Sequence, residues 1–322
     1  MPPLAWSQMN GPRVWVEAWS PEYGSSFDLD EDLAASEEEV DAGVEMEDWT
    51  PVSPLAIPWP KVAFIDGVTR VDARAFLDHR GAAVPGICGS VGVGSVFSEE
   101  TASFGPWEVG RATVFTSGAT YEARPLTGGI SYAARSVPGP NPNDARKGLE
   151  AFRAEMEAEL ARKLAREGFL VIADGALGVR EPLEVVGFIK SHHKTYVGPE
   201  QEPVVVALAA GQRTPMFAFG EVRPRYSWYL RLAPCEGQHP WAGIARCEVS
   251  AAISFERARE LADLVTFHLP RFASKEFWDS RAPQNLVPIA SLERRLWHLL
   301  GDRDLIFRRI RSAFVESGGS DV

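Results

Sequence analysis

Cysteine is scarce in this sequence. Cys88, Cys235 and Cys247 are the only three in 322 residues, far apart and without Cys-x-x-Cys spacing, which excludes a disulfide framework and a thiolate zinc site. A reducing cytoplasm is the compartment this usage predicts. Long apolar runs are also missing: nothing approaches the roughly 18 consecutive apolar residues of a membrane span, and the opening MPPLAWSQMN has neither a basic leader nor a long apolar core. A chain that is neither secreted nor membrane-spanning is expected. No Gly-Lys-Ser/Thr occurs, and the glycines of GSVGVGS precede no helical pattern, so they read as a glycine-rich strand or bulge rather than a nucleotide site. Basic residues are absent from 28 to 48, where eleven aspartates and glutamates equal the whole net charge of −11. The remaining body is electrically balanced, with arginine concentrated in LERRLWHLLGDRDLIFRRIRSAF, so a polyanionic partner is permitted.

What is present is an ample core, with 45% hydrophobic residues. Residues 1–58 read as an acidic, proline-containing extension that ends in TPVSPLAIPWP, and 59–322 as a single domain. KVAFIDG, TRVDARAFL, GICGSVGVGSVF and EVGRATVF have strand character. GLEAFRAEMEAELARKLAREG follows as a helix, with Leu149, Phe152, Met156, Leu160 and Leu164 on one stripe, Asp144 as its N-cap and Gly168 as its stop. Strands FLVIADG and LEVVGFIK come next, then strands around MFAFGEV, YSWYLRLA and AGIARCEVS. SFERARELADLVTFHLPRF and LVPIASLERRLWHLLGD are amphipathic helices. This order predicts an α/β sheet domain.

Two of these strands, VAFIDG and FLVIADG, run straight into Asp-Gly. Asp-Gly is a common turn signal, yet two carboxylates at the mouth of one core need a partner, because an unpaired buried carboxylate is expensive. On the helix between them, at about 100° per residue, Glu157 falls on one edge of the apolar stripe, Glu159 on the other, and Glu155 towards solvent. A helical glutamate joining Asp66 and Asp174 makes a set of hard oxygen donors of the kind Mg²⁺ or Mn²⁺ prefers, suited to phosphodiester hydrolysis. Trp228, Tyr229 and Arg231 in YSWYLRL are candidates to stack on single-stranded bases, although alternation places part of that strand in the core. Arg246 and Glu248 share one strand face and can pair.

VAFIDGVTR, the helix carrying Glu157, FLVIADGAL, VVGFIKSHHKTYV and RAPQNLVPIASLERRL, in that order, resemble the NurA nuclease family. The resemblance runs from about 60 to about 312 and leaves the acidic segment unmatched. It implies an RNase H-like mixed sheet with flanking helices in a NurA-type single domain, assembled as a homodimer. It also implies a metal-dependent DNA nuclease, with 5′ to 3′ exonuclease and single-strand endonuclease activity using Mn²⁺ or Mg²⁺. The partner it implies is a HerA-type hexameric ATPase translocase, in DNA end processing or antiphage defence.

Residue by residue, the first family aspartate falls on Asp66, the second on Asp174, and the helical glutamate, four to five turns before the latter, on Glu157 better than on Glu155 or Glu159. The post-strand lysine is Lys190, expected at the scissile phosphate. The family's C-terminal tyrosine and histidine are missing: the tyrosine position falls near Pro283 or Gln284, and Ser291 follows Ala290. Either Gln284 and Asn285 fill that site by hydrogen bonding, or the chain is a catalytically weakened subunit that docks on the translocase and guides DNA. His298 is a further substitute. DNA contacts are expected from His192, His193, Tyr229, Arg246, Gln284, Asn285 and Arg294.

Overall fold

The computed structural model describes residues 14–16, 39–99, 101–121, 125–126, 129–190, 196–222, 224–234, 240–275 and 282–316. In chain order the strands are β1 (Val14–Val16), β2 (Val40–Asp41), β3 (Val62–His79), β4 (Ala82–Ser98), β5 (Ala102–Phe115), β6 (Pro125–Leu126), β7 (Ile130–Ser131) and β8 (Ala133–Ser136). They continue with β9 (Leu170–Asp174), β10 (Val185–Ile189), β11 (Phe217–Phe219), β12 (Arg225–Arg231) and β13 (Ile244–Ser250). The helices are α1 (Pro142–Arg166), α2 (Glu202–Val206), α3 (Phe255–His268), α4 (Val287–Leu299) and α5 (Arg303–Glu316).

One sheet runs in the order β2-β11-β12-β13-β10-β9-β3-β4-β5-β8, with β1 also on β3. β3 and β10 flank β9 as parallel neighbours, whereas β3-β4-β5 and β10-β13-β12-β11 are antiparallel. This is the mixed α/β sheet that the sequence predicts. The apolar run of FLVIADG explains the central place of β9, since a strand covered on both faces needs no polar alternation. Val62, Phe64, Leu170, Ile172 and Phe188 pack on one face with α3 and α4, through residues such as Leu261, Val265, Leu292 and Leu296. Ala63, Ile65 and Val171 pack on the other with Ala158, Ala161 and Leu164 of α1.

Two local expectations need correction. KVAFIDG and TRVDARAFL form the single 18-residue strand β3, so Asp66-Gly67 is no turn: the chain stays paired with β4 on both sides of it. The N-cap of α1 is Asn141, whose side chain accepts from Asn143 N. Asp144 instead bonds back to Asn141 N at 3.0 Å, completing a capping box. The stop at Gly168 is as expected: its φ is 88°, and Gly168 N and Phe169 N close onto the carbonyls of Ala165 and Leu164.

The glycine-rich strand β4 is where helices come close to the sheet. A Cβ on Gly89 would lie 2.1 Å from Leu149 Cδ2 on α1, and one on Gly94 would lie 3.1 Å from Leu296 Cδ2 on α4. The chain joins this body ahead of residue 59. Val40 and Asp41 pair with Phe219 and Ala218, Glu45 forms an ion pair with the buried Arg213 at 2.8 Å, and Ile57 and Trp59 pack against the core beneath α3 and α4.

Candidate active site

Ile65 of β3 pairs with Ala173 of β9, so Asp66 and Asp174 follow side by side at the end of a parallel pair. Side chains alternate along a strand. Asp66 therefore shares the α3/α4 face with Phe64, and Asp174 shares it with Ile172. At Gly175 the backbone turns away from β9 with φ 90°, its N–H bonded to the Phe188 carbonyl at 2.8 Å. The second Asp-Gly is thus a real strand end, whereas the first lies in mid-strand.

Asp66 is buried, at 7% exposure, and Oδ1 accepts from Gly67 N at 2.8 Å. Burial pushes its carboxyl well above the usual carboxylate range, and the charges of Asp174 and Glu157 add to that, against weaker opposing pulls from the Gly67 N–H and Lys190. Asp174 Oδ2 accepts from Lys190 Nζ at 2.7 Å, and the same ammonium donates to Asn285 Oδ1 at 3.1 Å. Asp174 Oδ1 is buried and has no hydrogen-bond partner among the described residues.

Glu157 approaches from the other face. Its Oε1 would lie 2.5 Å from a Cβ on Gly67, so the missing side chain is the space the carboxylate uses. Arg153, one turn earlier, donates to Oε1 at 2.6 Å and to Glu150 Oε2 at 2.9 Å. Burial pushes Glu157 up to about 7 against the pull of Arg153, with Asp174 and Glu150 adding to the rise. Glu159 is exposed and Glu155 pairs with Arg135 at 2.7 Å, so of the three candidate glutamates Glu157 is the one whose charge is felt at the aspartates.

Two strands and a helix thus bring three carboxylates into mutual electrostatic contact around residues 65–67 and 173–175. In their present rotamers no three acidic, histidine or cysteine side chains among the described residues converge closely enough to hold a metal. Lys190 and Arg153 occupy one oxygen each of Asp174 and Glu157. The donor chemistry nonetheless fits a hard divalent cation. All the candidate ligands are carboxylate oxygens, and Asp174 Oδ1 is a buried acceptor without a donor.

The expected DNA contacts divide. His192 and His193 lie outside the described residues. Tyr229 is corrected to a core residue: it is fully buried, 5.8 Å from the Phe217 ring and 5.6 Å from Trp241, so no base can reach its face. Trp228 is buried likewise, and Arg231 is spent on the carbonyls of Val206, Leu208, Pro240 and Ala242. Arg246 is corrected too: it is buried, bonds Glu248 at 2.7 Å and lies over the Tyr196 ring at 4.3 Å, which confirms the pairing read from the strand pattern. Asn285 is fully buried and turned to Lys190 rather than to a DNA surface. Gln284 is half-buried with Nε2 3.5 Å from the Ile244 carbonyl. Arg294 and His298 are exposed on α4.

Sequence reasoning missed Arg153 and the spatial reason for Gly67. The Glu150, Arg153, Glu157 spacing of i, i+3 and i+7 was a readable signal for the first; nothing local signals the second.

No family model and no curated protein matches this sequence. Among solved structures, the crystal structure of the NurA nuclease from Sulfolobus solfataricus is similar at 12% identity and a TM-score of 0.49, over 84% of this chain and 88% of that one.

Proposed function

We propose that this protein is a metal-dependent nuclease acting on DNA, with Asp66, Glu157 and Asp174 as the ligands of Mn²⁺ or Mg²⁺. The observation that carries this reading is the pair Asp66 and Asp174, held side by side where β9 ends against β3, with a buried, unpartnered oxygen on Asp174. Such a pair is costly to bury, and groups of this kind gather at functional sites. The order of the resembling sequence segments supports DNA as the substrate.

A bound divalent cation supplies charge neutralisation at the phosphate and a water of lowered pKa. The chain's own residues do the rest. Asp66 and Asp174 present oxygens on one face of the sheet, and α1 brings Glu157 up through the notch at Gly67. Asp174 Oδ1, which has no hydrogen-bond partner among the described residues, would be offered to the cation directly, while Lys190 holds Oδ2 and Arg153 holds Glu157 Oε1. Lys190 would face a non-bridging phosphate oxygen as a point charge. A homodimer, a HerA-type hexameric ATPase partner, 5′ to 3′ polarity, single-strand endonuclease activity and a role in end processing or antiphage defence rest on the sequence resemblance alone.

A second reading is a catalytically weakened subunit, which the two internal ion pairs on Asp174 and Glu157 favour. One experiment separates the two: degradation of end-labelled single-stranded DNA with Mn²⁺ or EDTA by wild type and Asp174→Asn. The nuclease reading expects metal-dependent cleavage, reduced at least about a hundredfold in the variant, since even outer-shell changes at metal sites cost ten- to a hundredfold. It also expects Mn²⁺ to raise the melting temperature of wild type and not of the variant. A wild type that neither cleaves nor gains stability is the weakened subunit.

A further inference from the structure

The Lys190 ammonium is held twice, by a carboxylate and by an amide. Its contact with Asp174 is 2.7 Å and its contact with Asn285 is 3.1 Å. Because an ammonium only donates, the asparagine must present Oδ1 to it. Asn285 is itself fixed: it is fully buried, its carbonyl accepts from Ser274 N at 2.8 Å, and the next residue, Leu286, bridges to Ala273. Lysine has a long, freely rotating stem, and an ammonium with a single acceptor loses its position whenever that acceptor turns elsewhere. A neutral amide retains the ammonium without adding negative charge beside Asp66 and Asp174.

We infer that Asn285 is a positioning residue that acts through Lys190: its amide oxygen keeps the ammonium at the edge of the acid pair when Asp174 turns to a divalent cation, ready for a phosphate oxygen of the DNA strand. This rests on the nuclease reading. It also gives the segment RAPQNL a role in place of the missing C-terminal histidine that differs from direct contact with DNA.

The test is a double-mutant cycle of Lys190→Met, Asn285→Leu and the double variant. It is read as kcat and KM on single-stranded DNA at saturating Mn²⁺, and as affinity for the same oligonucleotide in EDTA. Asn285→Leu is expected to lower kcat by about ten- to a hundredfold, the range for outer-shell partners, with KM nearly unchanged. The double variant is expected to be no slower than Lys190→Met, and the losses of affinity in EDTA are expected not to accumulate. If Asn285→Leu does not fold, Asn285→Ser, which leaves the ammonium out of reach in a smaller volume, takes its place in the cycle. Losses that multiply, or a kcat untouched by removing Asn285, overturn the inference while leaving a cutting wild type intact. A wild type that does not cut at all overturns the nuclease reading, and this inference with it.

Discussion

Gly67 carries a constraint that its neighbours do not reveal. The sequence presents Asp66-Gly67 as a turn signal, yet β3 continues through it, and the glycine is there because Glu157 Oε1, Arg153 Cγ and Val93 Cγ1 would lie 2.5, 3.0 and 3.1 Å from a Cβ. Two of these three atoms belong to long polar side chains that can shift, so Gly67→Ala is expected to fold with a modest loss of about 1–3 kcal/mol, the usual cost of overpacking. What has to move first is the Glu157 carboxylate. Cleavage is therefore expected to fall much further than stability does, by more than tenfold, when rate and urea midpoint are compared in one preparation. An enzyme that stays fully active as Gly67→Ala would remove Glu157 from the site. The aspartates were legible because each ends or interrupts an apolar run. The notch was not, because its walls come from a helix some ninety residues away, and a glycine required by a distant neighbour looks the same in sequence as one required by a turn.

At the scale of elements, helix α1 and the glycine strand β4 act as one part. The stripe of Leu149, Phe152, Met156, Leu160 and Leu164 reads directly from the sequence and is the face that packs. GSVGVGS reads as a glycine-rich strand, which it is. That the two meet is not written in either, since helix and strand are joined only through the folded sheet. Their contact is close: both terminal methyls of Leu149 and its branch carbon Cγ lie within 3.1 Å of a Cβ built on Gly89. Leu149 is fully buried and has nowhere to withdraw. Gly89→Ala is expected to lift α1 from the sheet at its first turns, at about 1–3 kcal/mol, seen as a lower denaturant midpoint with unchanged slope. Because α1 is also the arm that carries Glu157, the same variant is expected to need more Mn²⁺ for half-maximal thermal stabilisation. An unchanged midpoint would show that the helix does not rest on the glycines.

Across the whole molecule, the acidic segment is partly a structural element. Composition sets 1–58 apart from the body, yet within it Glu45 is the counterion of Arg213, accepting from the guanidinium on both carboxylate oxygens at 2.8 Å across 168 positions, while Asp263 accepts from Nε on the remaining edge at 2.7 Å. A pattern search cannot link residues so far apart, and nothing within a run of eleven acids marks Glu45 as the partner of a buried arginine. Burial alone would push the Glu45 carboxyl up; the hydrogen bonds and charge of Arg213, with the Met216 N–H, outweigh it and hold it below its ordinary value of 4.5. A carboxylate depressed on folding adds stability that is fully present above the unfolded value and is lost as pH falls through the folded one. Glu45→Gln leaves Arg213, at 1% exposure, short of a charge, and removing one partner of a buried pair costs about 3–5 kcal/mol. The gap in unfolding free energy between wild type and Glu45→Gln is therefore expected to be largest near pH 7 and to close as the pH drops below 4.5. Guanidinium titrations at a series of pH values down to 3 measure it. A gap that stays constant with pH would mean that the segment is held by the β2 pairing and apolar packing, and that the charge of Glu45 does not matter. A gap that closes would place the boundary of the folded body ahead of Glu45 rather than at residue 59.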